Sequence, residues 1–381
     1  MYMFVEYIWL DGALPTEQLR SKARYLAIKN VDKVKLELFP DWNFDGSSTY
    51  QSTGDKSDLI LKPASFFADP IRGQGNYLVL CEVYTADGKP HASNTRAQLR
   101  KILELGGEKL EPWLGFEQEY TLFMAQRPLG WPEKGFPKAQ GPFYCGVGTE
   151  VVFGRELVES HALACVQAGL PLYGINGEVM PAQWEFQVGY RGVDGEDVSA
   201  LAISDALWIS RWLLHRLSEK FGIEVSFVNK PIAGDWNGAG CHTNFSTNKT
   251  RDPKLGIKAI EEAIQLLSQK HALHIPLYGA GLRERLTGAH ETCSIDQFRS
   301  GVADRGSSIR IPLQVKQQGY GYLEDRRPGA NCDPYLVAAR ILATILNIDE
   351  NQFQLGRQQA IGDQVESHKK HTEIFNGFVA A

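Results

Sequence analysis

The chain has 381 residues, 43% hydrophobic and 22% charged, with a net charge of −5 and an isoelectric point near 6.0. That length exceeds one ordinary domain and accommodates a large core plus a smaller unit, and the acidic balance argues against nucleic acid as the main ligand. No run approaches the roughly 20 apolar residues of a membrane span, and the opening Met1-Tyr-Met-Phe-Val-Glu6 has the pattern of neither a signal nor a transit peptide.

The first ninety or so residues are strand-rich. Tyr7–Leu10, Val34–Leu38 and Tyr77–Val83 are β-type runs separated by Gly, Pro and Asp, and Asp87-Gly88 signals a turn. Ser93-Asn-Thr95 precedes Leu99, Ile102 and Leu103, so a capped helix starts a second domain. The expected domains are 1–89 and 90–381. Beyond 110, strands alternate with helices, expected over 155–169 and over 199–221. The second of these carries Ala202, Ala206, Ile209, Leu213 and Leu217 on one stripe. Ile257, Ile260, Ile264 and Leu267 repeat at helical spacing, and Asp333-Pro334 suits an N-cap and first turn for a helix through Ile345. Gly130–Pro137 and Leu277–Gly281 read as long functional loops. The cysteines at 81, 145, 165, 241, 293 and 332 are scattered without a Cys-x-x-Cys pair, which suits reduced thiols in the cytosol.

Six residues carry the chemistry most strongly: Glu117, Glu119, Glu178, Glu185, His242 and Glu324. Residues two apart on a strand share a face. Glu117 and Glu119 therefore point one way while Phe116, Gln118 and Tyr120 point the other. Glu185 lies opposite Trp184 and Phe186, His242 shares a face with Asn244 and Ser246, and Glu324 shares one with Arg326. Singly, each glutamate reads as a solvated strand-end charge. Together, flanked by core-type neighbours, they need positive charge. An oxygen-dominated set suits Mg²⁺ or Mn²⁺, and six ligands split three and three would hold two ions with positions left for phosphate oxygens and water.

A basic set follows: Arg285, Arg305, Arg310, Arg326 and Arg327, several of them expected to bind anions through their planar guanidinium groups. Glu291 sits among turn-formers and is a candidate base or lid residue. In Trp42-Asn-Phe-Asp-Gly-Ser-Ser48, Asp45-Gly46 reads by itself only as a tight turn.

At these residues the chain resembles the type II, or eukaryotic-type, glutamine synthetase family. The resemblance runs from about Tyr7 to about Tyr335. It rests on Asn43-Phe-Asp-Gly-Ser-Ser-Thr49, Gly115-Phe-Glu-Gln-Glu-Tyr-Thr121, Tyr144-Cys-Gly-Val-Gly148, Glu178-Val-Met-Pro-Ala-Gln-Trp-Glu-Phe186, Asn237-Gly-Ala-Gly-Cys-His-Thr-Asn-Phe-Ser246, Leu286-Thr-Gly-Ala-His-Glu-Thr292 and Glu324-Asp-Arg-Arg-Pro328. It implies an α+β architecture: an N-terminal β-grasp domain followed by a large α/β catalytic domain of the glutamine synthetase/guanidino kinase type. It implies a cytoplasmic enzyme that joins ammonium to L-glutamate with ATP through γ-glutamyl phosphate. It also implies self-association into a ring with sites between subunits, usually a decamer of two stacked pentamers.

The resemblance also implies roles. Glu119, Glu178 and Glu185 would hold one metal; Glu117, His242 and Glu324 would hold the other, beside the ATP phosphates. Arg305 and Arg310 would grip the transferring phosphoryl group and nucleotide. Arg285 and Arg326, with Arg305, would clamp glutamate, and Asp235, Trp236 and Gly238 would cradle it. Trp113, Asn244, Phe245, Ser246, Tyr322 and the strand at Glu185 would line the nucleotide site. Glu291 would close over the intermediate, and Asp45 would reach a neighbouring subunit's site to help bind ammonium. Two departures from the family pattern, Asp304 and Leu282-Arg-Glu284, are expected near the glutamate side. The adenylylation loop of type I enzymes is absent, so regulation by that route is not expected. The alternatives are a phosphoryl-transfer relative with another acceptor, such as a guanidino kinase or γ-glutamyl-amine ligase, and a non-catalytic structural relative.

Overall fold

The computed structural model describes residues 2–27, 33–351 and 353–356. Met1 and the part of the expected second domain beyond 356 lie outside the described residues. The described chain forms two compact units, which divide at Ala97/Gln98.

The first unit is built on a five-stranded sheet of order β2-β1-β5-β4-β3. Its strands are β1 (Tyr2–Leu10), β2 (Leu19–Ala27), β3 (Trp42–Asp45), β4 (Asp58–Ala68) and β5 (Tyr77–Tyr84). β1 runs parallel to β5, whereas the other pairings are antiparallel. Met3, Val5, Tyr7 and Trp9 alternate along β1 and bury one face against Phe44, Leu59, Leu61, Val79 and Val83. The strand expected over Val34–Leu38 is instead a 3-10 turn, Leu36–Leu38. Its apolar residues are spent on packing, with Val34 and Leu36 against this core, and its backbone closes locally through Leu38 N→Lys35 O and Phe39 N→Leu36 O at 3.1 Å. Asn94 accepts from Ala97 N at 3.1 Å, which caps helix α1 (Thr95–Glu104).

The second unit carries a nine-stranded sheet. Its strands are β6 (Trp113–Met124), β7 (Arg127–Pro128), β8 (Leu172–Gly177), β9 (Gln183–Val188), β10 (Glu224–Ser226), β11 (Cys241–Ser246), β12 (Ser300–Val302), β13 (Ile309–Ile311) and β14 (Leu323–Asp325). The order is β12-β13-β14-β11-β6-β9-β8, with β7 and β10 pairing β6. The helices are α2 (Arg155–Gln167), α3 (Ala200–Phe221), α4 (Gly256–Gln269), α5 (His271–His274), α6 (Leu282–Arg285), α7 (Leu313–Gln318) and α8 (Pro334–Ile345).

Ser199 caps α3 and Gly222, left-handed at φ 61°, ends it. α3 is buried on every side from Ile203 through Leu214, wider than a single stripe, because it packs against α2, α8 and β6. Arg211 on α3 reaches the back of β6, donating to Gln118 Oε1 through Nε at 2.9 Å and through Nη2. Gln118 in turn donates to Ala330 O at 3.0 Å. That buried link holds β6 from behind, between the two glutamates on its front. Among the described residues no helix is long and apolar enough to cross a membrane.

Candidate active site

Strand register assembles the site row by row. Across the sheet Asn176 (β8) faces Glu185 (β9), and Glu185 faces Glu119 (β6). Gln187 faces Glu117, which faces His242 on β11. Gly115 faces Asn244, Asn244 faces Glu324 on β14, and Glu324 faces Arg310 on β13. Paired residues on neighbouring strands share a face, so one side of the sheet presents carboxylates, an imidazole and an arginine over a cavity of about 490 Å³. All six residues of the acidic set line it, as do Gly238, Arg285, Glu291, Arg305, Arg310 and Arg326.

Two groupings of ligand atoms lie within 4.8 Å: Glu117, His242 and Glu324, and Glu119, Glu185 and His242. His242 thus stands where the resemblance placed Glu178. Glu178 lines the same cavity, but its oxygens accept from Asn176 Nδ2 at 2.8 Å and Val179 N at 3.2 Å. Burial, reinforced by Glu119, pushes the Glu178 carboxyl up to about 8. Burial with Glu117, Glu119 and Glu178 nearby pushes Glu185 well above the usual carboxylate range. Burial also raises Glu119, against the pull of Arg285. Closely packed buried carboxylates with one neutral imidazole fit a hard divalent cation: the donors are oxygen-dominated and a cation offsets the repulsion that raises them.

Arginines frame this face. Glu324 accepts from Arg310 Nη1 and Arg326 Nη1, both at 2.6 Å. Arg326 also ties two loops, donating to Arg305 O at 2.9 Å and Glu291 O at 3.3 Å. Arg285 is buried, with Nη2 3.0 Å from His242 Nε2. Its path exists because residues 238 and 240 are glycines: a Cβ at 240 would lie 2.3 Å from Arg285 Nη2, and one at 238 would lie 2.8 Å from Arg285 Cγ. Burial and Arg326 keep His242 well below the usual histidine range, so its imidazole is neutral and free to act as a ligand. His290 and Glu291 are consecutive left-handed residues at φ 52° and 59°, a strained loop that lines the cavity.

Other expected residues fall nearby or elsewhere. Asp235 lies 3.4 Å from His290 Nε2, and Trp236 is buried against Trp131, with ring centroids 4.7 Å apart. Trp113, Asn244, Phe245, Ser246 and Tyr322 line a second cavity of about 300 Å³ with Tyr173, Tyr190 and Arg251. The Phe245 ring itself is fully buried. Asp45 belongs to the first unit and lines neither cavity; exposed at the end of β3, it accepts from Ser47 N and Oγ and Ser48 Oγ, which hold its carboxyl below the usual range.

Arg327 is not an anion-binding residue of this face. Strand alternation turns it to the other side, where it is buried against Asp325 at 2.6 Å. The departures at Asp304 and 282–284 are also absent from the cavity lining. Asp304 holds Gly306 N at 2.9 Å, Leu282 is buried, and Arg283 pairs with Asp296 at 2.9 Å. The Leu277–Gly281 segment is structural as well, since its Tyr278 is fully buried. Asn176 and Gln187 line the cavity without having been singled out from sequence, and Tyr144 and His290 line it from motifs to which no role was attached for them. Gln187 stands two residues from Glu185 on β9, so strand period puts it on the acidic face, whereas Asn176 joins that face only through the pairing of β8 with β9.

Known proteins resemble the chain over most of its length. Residues 1–86 match the family model described as glutamine synthetase, beta-Grasp domain, and residues 92–269 the one described as glutamine synthetase, catalytic domain. A chloroplastic glutamine synthetase of Chlamydomonas reinhardtii is 53% identical over 355 residues, covering 90% of each chain. Glutamine synthetase of Suillus bovinus is 52% identical, covering 89% of this chain and 92% of its own. That of Saccharomyces cerevisiae is 50% identical, covering 92% and 90%. The molecule is thus an α+β enzyme built of a β-grasp domain and a catalytic domain. The chain belongs to the glutamine synthetase family, in its eukaryotic-type branch.

Proposed function

We propose that the chain ligates ammonia to L-glutamate with consumption of ATP, through γ-glutamyl phosphate, giving L-glutamine, ADP and phosphate. The observation that carries this reading is one sheet face on which Glu117, Glu119, Glu185, His242 and Glu324 converge while Arg285, Arg310 and Arg326 border them. Such a face holds polyphosphate and carboxylate together, as the transfer of a phosphoryl group to glutamate requires.

Glu117, His242 and Glu324 would hold one divalent cation, and Glu119, Glu185 and Glu178 a second. When bound, Mg²⁺ or Mn²⁺ supplies charge neutralisation for the phosphate oxygens. Arg305 and Arg310 grip the transferring group, and Arg285 and Arg326 orient the glutamate carboxylates beside Asp235, Trp236 and Gly238. Trp113, Asn244, Phe245, Ser246 and Tyr322 form the wall of the adenine nucleotide site. A carboxylate is a poor electrophile; the acyl phosphate has a leaving group, which ammonia displaces. Glu291 closes the site against water and, with Asp45 from a neighbouring subunit, favours proton loss from ammonium. Asp45 would take that role from a neighbouring subunit, and a cytoplasmic ring of two stacked pentamers is the arrangement we expect. Phosphate release from ATP tests the reading. It should require both glutamate and ammonium and proceed with Mg²⁺ or Mn²⁺; release independent of glutamate would refute it.

A further inference from the structure

Two side-chain amides connect Glu178 to Glu185. Asn176 Nδ2 donates to Glu178 Oε1 at 2.8 Å. Gln187 Nε2 donates to Glu185 Oε1 and to Asn176 Oδ1, the latter at 3.3 Å. The chain of bonds thus runs from one carboxylate through both amides to the other. Backbone register places it, because Gly174 lies opposite Gln187 and Asn176 opposite Glu185, after a register shift between Leu172 and Gly174.

Gly174 makes room for it. A Cβ there would stand 2.2 Å from Gln187 Oε1 and 3.1 Å from its Cδ. Both amides line the acidic cavity. Their chemistry differs from that of the arginines on Glu324. An amide N–H fixes a carboxylate oxygen without bringing a positive charge of its own, so the charge of the ionised carboxylate is left for a cation.

We propose that Asn176 and Gln187 are positioning residues, which set the carboxylate orientations of Glu178 and Glu185 for a divalent cation, and that Gly174 seats Gln187. This rests on reading the acidic face as a cation site, and the test separates the two claims. Mn²⁺ binding to the metal-free protein, without substrates, is followed by the electron paramagnetic resonance signal of free Mn²⁺. Thermal unfolding of the same metal-free samples monitors the fold. Gln187→Met keeps the side chain's length but removes its donor; Gly174→Ala keeps both amides but displaces one. Each is expected to weaken the Mn²⁺ site about 10- to 100-fold, with the metal-free unfolding midpoint of Gln187→Met unchanged. Mn²⁺ affinity of Gln187→Met within twofold of the parent, while Glu185→Gln loses binding, overturns the positioning role alone. Parental Mn²⁺ affinity in Glu185→Gln overturns the cation-site reading beneath it.

Discussion

Asp325 and Arg327 form a buried ion pair, 2.6 Å long, on the side of β14 opposite Glu324 and Arg326. Asp325 also accepts from Tyr278 Oη at 2.8 Å, and Tyr278 Oη lies 2.6 Å from His274 Nδ1. His274 continues the network to Thr344 Oγ1 at 2.9 Å. One short strand thus presents its acid and arginine to the cavity and is anchored by another acid and arginine behind.

That anchor gives a stability prediction. Asp325→Ala leaves Arg327 buried without its carboxylate, which costs about 3–5 kcal/mol for a broken buried pair. Denaturant unfolding measures it, and a loss below about 1 kcal/mol, the range of exposed pairs, would show that the network is not structural.

Gly240→Ala tests the path of Arg285. The added Cβ meets Arg285 Nη2 at 2.3 Å and His242 Nε2 at 2.9 Å, so both must shift. Misplacement on the order of 1 Å can reduce turnover about 100-fold. Steady-state kcat/KM for glutamate should fall by that order, and an unchanged value would remove Arg285 from the site.

Metal removal has a sign set by Glu178. Its carboxyl is raised to about 8 by burial and then by Glu119. The folded metal-free protein therefore holds a proton there that the unfolded chain has released. Its contribution to stability is present below the ordinary carboxylate range and is lost as pH rises through about 8. A cation competes with the same proton, so its uptake should release protons at neutral pH and far fewer well above pH 8. Titration calorimetry in buffers of different ionisation enthalpy measures this; metal uptake without proton release at neutral pH would contradict it.

Glu291→Ala should uncouple the reaction. Its loop is strained at His290 and Glu291 and tethered through Glu291 O to Arg326. Removing the carboxylate should lower glutamine formation about 100-fold while leaving some glutamate-dependent ATP hydrolysis. An unchanged ratio of glutamine formed to ATP consumed would refute the lid role.

Much of the acidic face was legible because strand alternation is a strict period. Glu117 and Glu119 share a face, with Phe116, Gln118 and Tyr120 buried behind. The same period misleads where a partner strand is missing, and Val34–Leu38 alternates yet closes into a 3-10 turn. Arg327 looked equivalent to Arg326 because both are arginines in one basic run, but alternation turns it to the opposite side, where Asp325 buries it. Asn176 and Gln187 escaped notice because uncharged amides carry no signal of their own. Their importance comes from cross-strand register, which depends on pairing between β8 and β9. Asp45 carries nothing beyond a turn locally, since its expected partners are on another chain.

The proposed reaction activates glutamate as an acyl phosphate. The most direct test uses glutamate labelled with ¹⁸O in its side-chain carboxylate. The phosphoryl group bonds to a carboxylate oxygen, ammonia forms the C–N bond, and the C–O bond to phosphate breaks, so the released phosphate carries one labelled oxygen from glutamate. Transfer of ¹⁸O into phosphate in step with glutamine formation is the predicted result. Phosphate free of label while glutamine accumulates would contradict it.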